Sequence, residues 1–376
     1  MTEYNKRRPR LLKKGFVNEI FFIRFVACMC VVLIHSITMT RSNLDVSAST
    51  TSVTYIINMS MMFATPVFVM ISEFLLSYSY PDRLPKSFWK KRILYILVPY
   101  LVLAAVYSMY ALGIDGLTWA AFSELFFKKT LLGAWHGYFV LIIFQFYALH
   151  FLLKKSFDRF PPLLVIGLAL MINLMYLGFF NFKGTISGLE FMWEYYQLPF
   201  LGWFFYFTVA YYAGKHLDEF LFYLKKYRFW VIGGAVFAGI IPIYLRVSGI
   251  LTAVSSKRFD IIFYTFLVFC VLYLIAMKLN KVPKPVLWIS SCSYSIYLLH
   301  PLFQYNAVGW FESIQLPSNL VVYILAFFVL GVAGPIVMSY LFNLVPFGSL
   351  VTGRINMPKL GPSSSQKPAV NKGKAS

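Results

Sequence analysis

The chain returns again and again to stretches of about twenty residues that carry almost no charge. Such a stretch is long enough to cross the roughly 30 Å hydrocarbon core of a bilayer as an α-helix. Ten can be drawn: 17–39, 54–79, 93–113, 138–153, 162–180, 198–215, 229–247, 259–278, 286–304 and 319–346. No soluble domain fits in the polar segments between them. With 59% of its residues hydrophobic, the chain has more apolar surface than a water-soluble fold can bury. Lipid offers the backbone no hydrogen bonds, so each crossing must satisfy its own N–H and C=O groups, which a helix does. The expected fold is therefore all-α, a polytopic integral membrane protein with about ten transmembrane helices, seated in the cell membrane. The expected divisions are a basic cytoplasmic tail at 1–16, a transmembrane domain at 17–346 and a cytoplasmic, disordered tail at 347–376. The end of that tail, "PKLGPSSSQKPAVNKGKAS", is polar and low in complexity, and disorder is expected there.

The formal charge of +20 would suggest nucleic acid on a soluble protein. On a membrane protein it suggests loops beside anionic lipid, so lipid is the expected partner and nucleic acid is not. Counting Lys and Arg on alternate sides of the ten spans gives 26 on the side of both termini and seven on the other, with Arg24 inside a span. The positive-inside rule then places both termini in the cytoplasm. The first apolar run is longer than the ~7–15 residue core of a signal peptide and lacks a small-residue cleavage site, so it reads as a retained helix. The four cysteines sit in apolar segments without paired spacing. The five histidines are scattered singly, so neither a disulfide framework nor a metal site is expected.

The first span holds "RFVACMCVVLIH", from Arg24 to His35. Eleven helical residues rise about 16.5 Å and turn about 20° past three full turns, so the two side chains share one face at different depths. Snorkelling to the headgroups is one role open to Arg24, and an interhelical hydrogen bond is one open to His35. Together on one face they favour a lined cavity. Chemistry on an anionic donor in such a cavity needs a base, a cation for the anion and hydrogen bonds where charge develops. His35 is the candidate base and Arg24 the candidate anion clamp. Glu73, in "VFVMISEFLLSY", is expected at a depth similar to that of Arg24, as its ion-pair partner or as part of donor binding.

Farther along, His300 is expected near the outer end of the ninth span, with Tyr297 sharing its face and Tyr294 one turn earlier. His136, flanked by Trp135 and Tyr138, is expected at the outer start of the fourth. These six are candidates for an acceptor site, and an interfacial aromatic belt is the competing reading. His150 and His216 are expected to be solvated or interfacial on the cytoplasmic side. The outer acids Asp45, Glu190, Glu194 and Asp260 are each able to orient an imidazole, and nothing selects one. There is no GxSxG elbow, P-loop or dinucleotide-binding turn.

Arg, ten residues, then His in a first helix resembles the signature of the acyltransferase family 3 membrane proteins. "TPVFVMISEFLLSY" resembles that family's second helix, with Glu73 where many members have Gly. "KKRILYILVPYL" resembles the start of its third helix, and "SCSYSIYLLHPLF" its late Tyr–Leu–x–His stretch. "LLGAWHGYFVLIIFQFY" is similar to one subgroup, the intercellular adhesion protein C-like proteins associated with poly-N-acetylglucosamine. The resemblance spans about residues 16–345. It implies a membrane-bound O-acyltransferase that moves an acyl group, such as acetyl or succinyl, from a cytoplasmic donor to an extracytoplasmic glycan or cell-surface polysaccharide of the kind found in biofilms. Acyl-CoA would be a co-substrate, with no tightly bound cofactor, and a polysaccharide synthase is a possible partner. A polysaccharide or acyl-group exporter is the alternative.

Overall fold

The computed structural model describes residues 8–81, 84–279 and 282–355, with side chains from residue 19 onward. The described residues form helices and loops, with no β-strand among them. The first three helices are α1 (Arg8–Asn43), α2 (Ala48–Ser60) and α3 (Ala64–Ser79). α4 (Phe88–Arg92) runs through a π-helical turn, Ile93–Leu97, into α5 (Val98–Leu112). α6 (Trp119–Leu131), α7 (Phe139–Arg159), α8 (Pro162–Phe182), α9 (Glu190–Tyr195), α10 (Phe204–Lys215) and α11 (Leu217–Lys226) follow. The remainder is α12 (Arg228–Val247), α13 (Ile261–Met277), α14 (Lys284–Ser291), α15 (Ser293–Ser313), α16 (Leu320–Leu344) and α17 (Ser349–Thr352).

Seven helical runs among the described residues are long and apolar enough to cross a membrane, and eight if α14 and α15 count as one crossing bent by 74°. Two of the ten expected stretches fold as shorter helices. The stretch 198–215 is a 3₁₀ turn at Phe200–Trp203 followed by the 12 residues of α10, and 259–278 is the 17-residue α13. Other stretches are longer than drawn: the fourth crossing runs His136–Arg159 and takes in the preceding loop. α2 and α3 form one crossing interrupted at Met61–Phe63.

α1 stands at the centre, packed against α3, α13, α14, α15 and α16. α10 packs closely on α3, and Gly214 allows it: a β-carbon there would lie 2.4 Å from the Phe74 carbonyl oxygen. The outer faces of α8, α12 and α16 expose Leu163, Met175, Phe237 and Val337. An apolar rim of that extent suits lipid, not water. The described part of the C-terminal tail belongs to the folded body: α17 packs on α5 and α16, and Ser295 Oγ donates to the Thr352 carbonyl at 2.6 Å.

Candidate active site

Pro301 organises one half of the site. Lacking an N–H, it leaves the Tyr297 carbonyl without its helical donor. His300 claims that carbonyl: its Nδ1–H donates to Ile296 O at 2.8 Å and to Tyr297 O at 3.0 Å. One residue on, the Tyr107 hydroxyl enters the opened helix. It donates to Leu298 O and accepts from the Leu302 N–H, both at 3.0 Å. His136 Nε2–H reaches the same Leu298 carbonyl at 3.0 Å, and the Tyr297 hydroxyl donates to the His136 carbonyl. The carbonyls around Pro301 thus fix two imidazoles and the Tyr107 hydroxyl.

These ties bring three of the scattered histidines together. The rings of His35 and His300 meet edge to face with centroids 4.9 Å apart, and those of His136 and His300 are 5.7 Å apart. His300 is wholly buried. With Nδ1 carrying the proton, its Nε2 holds a lone pair that is buried without a hydrogen-bond partner. Gln304, one turn beyond His300, donates to Ser36 Oγ at 3.0 Å and locks α15 to α1 beside the pair. Among the described residues no group of three His, Cys, Asp or Glu side chains could hold a metal ion.

His35 and His136 line a cavity of about 250 Å³ with Ile34, Met62, Tyr138, Ser255, Ser256 and Lys257. A second cavity, of about 540 Å³, lies toward Arg24. Among the described residues four cations line it, Arg24, Lys91, Arg92 and Arg354, and no carboxylate does. Arg92 stacks between Phe88 and Tyr147, 5.1 Å from each ring, and Arg24 lies 5.9 Å from the Phe21 ring. Among the described residues neither guanidinium has an ion-pair partner. Cations gathered without acids make an anion site. The π-turn at Ile93–Leu97, a distortion frequent at functional sites, lies directly after Arg92 and turns Tyr95 and Ile96 to the cavity wall. Val31, Thr65, Phe139 and Tyr297 line both cavities, so the two share a wall. Val31 stands seven residues after Arg24 and four before His35, on the face they share.

The expected Arg24–Glu73 pair is not formed. Glu73 is buried and turned to His150, whose Nδ1 lies 2.6 Å from its Oε1. His150 is therefore not solvated, as expected from its basic loops, but buried at 3% exposure. The physical reason is that α7 runs six residues farther than drawn, which puts His150 inside the bundle against α3. Of the acceptor candidates, Tyr138 and Tyr297 reach the His35 cavity and Tyr294 lines the Arg24 cavity. Trp135 reaches neither; its ring packs on Tyr100 and Tyr107. None of the four outer acids lines the His35 cavity, and Asp260 is held by Arg258 at 2.6 Å. The ring beside His35 is that of His300. The sequence reading missed Lys91, Arg92 and Arg354 as cavity residues. They had been counted only as loop charge, although "KKR" at the start of an apolar run is a visible signal.

Residues 17–340 match the family model described as an acyltransferase domain. The chain belongs to the acyltransferase family 3. It is a membrane-bound acyltransferase by that membership. A Bacillus subtilis (strain 168) protein named as a candidate membrane-bound acyltransferase, YfiQ, is 36% identical over 358 residues, covering 91% of this chain and 96% of its own length. A Staphylococcus aureus protein named a probable poly-beta-1,6-N-acetyl-D-glucosamine export protein is 27% identical, covering 76% of this chain and 81% of its own. A Staphylococcus epidermidis protein of the same name is 28% identical, over 76% of this chain and 80% of its own. No solved structure matches the chain.

Proposed function

We propose that the enzyme takes an acyl group from acyl-CoA on the cytoplasmic side and places it on a hydroxyl of an extracytoplasmic glycan. The observation that carries this reading is the pair of cavities with a common wall. Among the described residues one is lined by four cations and no acid, the other by His35 and His136. The donor's phosphates would sit among Arg24, Lys91, Arg92 and Arg354, with the thioester directed at Val31, Thr65, Phe139 and Tyr297. His35 would remove the acceptor's hydroxyl proton as its oxygen attacks the thioester carbonyl. The C–S bond breaks, the acyl ester forms, and the proton held by His35 passes to the departing CoA thiolate, which leaves as the thiol and returns His35 to its neutral form. His300, with Nδ1 fixed and its Nε2 lone pair unused, would steady the imidazolium of His35.

The reading includes ten crossings with both termini in the cytoplasm, supported by the distribution of Lys and Arg. α10 and α13 would then be the two short crossings. The names of the staphylococcal relatives favour a polysaccharide acceptor, and they also support a second reading in which the chain exports polymer.

Two measurements test this. A C-terminal reporter active only outside the cell should stay silent, and activity would overturn the topology. Cells carrying His35→Gln at normal membrane level should export polymer lacking acyl groups. Loss of export itself would favour the exporter.

A further inference from the structure

The loop between α12 and α13 is built like a core. Arg258, 1% exposed, donates to the carbonyls of Leu251 and Ala253 at 2.9 Å and of Pro242 at 3.3 Å, and grips Asp260 with two nitrogens at 2.9 and 2.6 Å. Asn181 of α8 clamps both flanks: its Nδ2–H donates to Lys257 O at 3.2 Å, and its Oδ1 accepts from Phe259 N–H at 2.9 Å. Ser255 Oγ accepts from the Lys257 N–H at 3.1 Å. The Lys257 backbone is thus tied at both its N–H and its C=O, and Ser255, Ser256 and Lys257 all line the His35 cavity.

Among the described residues of that lining Lys257 is the one cation, and no carboxylate joins it there. Its ammonium lies 5.2 Å from the Tyr138 ring, a contact that holds a cation against an apolar wall without neutralising it. Among the described residues it makes no ion pair. Burial pushes its pKa below the usual lysine value, so a bound anion would keep it charged. A second, buried lysine, Lys129, lies close enough to His136 to act on it electrostatically. Three acids of this end are committed elsewhere: Asp260 to Arg258, Glu194 to the Tyr195 hydroxyl at 2.6 Å, and Glu190 to the Gly188 N–H at 3.0 Å.

We propose that the His35 cavity selects an acceptor that carries an anionic group, a phosphate or carboxylate, seated on Lys257 with Ser255 and Ser256 while the neighbouring hydroxyl meets His35. The proposal rests on the acyltransferase reading and narrows its acceptor. Phosphodiester-linked polymers and uronic-acid polymers both supply that chemistry, whereas a neutral or amine-bearing glycan does not. One charge-assisted contact at a partly buried site corresponds to roughly tenfold or more in affinity.

The test is calorimetric binding to the full purified chain in lipid nanodiscs, with three probes of equal length: an N-acetylglucosamine oligomer, a uronic-acid oligomer and a glycerol-phosphate oligomer. At least one anionic probe should bind roughly tenfold more tightly than the neutral one, and which one does so separates carboxylate from phosphate. Lys257→Met should erase the preference and Lys257→Arg should keep most of it. If Lys257→Met does not fold, Lys257→Arg in rising salt reads the same charge dependence. Equal or tighter binding of the neutral probe, or an anion preference that survives Lys257→Met, would overturn the proposal. Failure of the underlying reading shows separately, as no transfer of label from acyl-CoA to any of the three probes.

Discussion

His35 and His300 stand edge to face, their ring centroids 4.9 Å apart, although they lie on helices far apart in the chain. The Nδ1–H of His300 is committed to two backbone carbonyls, which leaves Nε2 as a buried lone pair beside the candidate base. His300 is in this account a positioning residue. His300→Asn keeps an amide N–H where Nδ1 donates and removes Nε2. Its kcat should fall at least roughly tenfold, below the ~10²–10⁴ expected for a lost general base, with KM for acyl-CoA unchanged. Steady-state kinetics in nanodiscs reads both; an unchanged kcat would assign His300 to packing alone.

Pro301 has a separable effect. Pro301→Ala restores an N–H that competes with His300 for the Tyr297 carbonyl. A proline inside a helix costs about 3 kcal/mol, so the melting temperature should hold or rise while transfer falls. A variant that loses stability and keeps its rate would contradict this role.

Glu73 and His150 form a buried hydrogen-bonded pair, and removing one partner so that the other is left unsatisfied costs about 1–3 kcal/mol. Glu73→Ala should therefore lower the melting temperature more than Glu73→Gln, which keeps an acceptor for His150. Exchanging charges between Arg24 and Glu73 should not restore function, since the two are not partners. Rescue by that double variant would restore the pairing expected from depth alone.

The Arg24 cavity makes a prediction about affinity. Arg92→Ala or Arg354→Ala should raise KM for acyl-CoA roughly ten- to a hundredfold, the scale of a lost charged hydrogen bond, and flatten its salt dependence. kcat at saturation should change little. A kcat effect at constant KM would move these residues from donor binding to chemistry.

The separation of Arg24 from His35 was legible because a helix has a fixed rise and rotation, and Val31 on the same face lines both cavities. The crossings were legible because lipid imposes length and composition on them. Partners across helices were not. Glu73 and His150 are 77 residues apart, and depth alone matched Glu73 equally well to Arg24. His300 was singled out for the acceptor, yet its contact with His35 depends on how α15 packs on α1. Pro301 is visible in the sequence, but that its missing N–H leaves the Tyr297 carbonyl to His300 depends on the folded helix. Lys257 looked like one loop charge among seven because its role comes from Arg258 and Asn181 holding the loop over the cavity.

The central claim is transfer from the Arg24 cavity to the His35 cavity. The most direct measurement uses the full chain in oriented proteoliposomes, with labelled acyl-CoA supplied only on the Arg24 side and a glycan acceptor only on the His35 side. The account predicts that label reaches the acceptor with release of CoA, and that His35→Gln reduces this by about 10²–10⁴ while acyl-CoA still binds. Undiminished transfer in His35→Gln, or label found only on acceptors of the donor side, would contradict it.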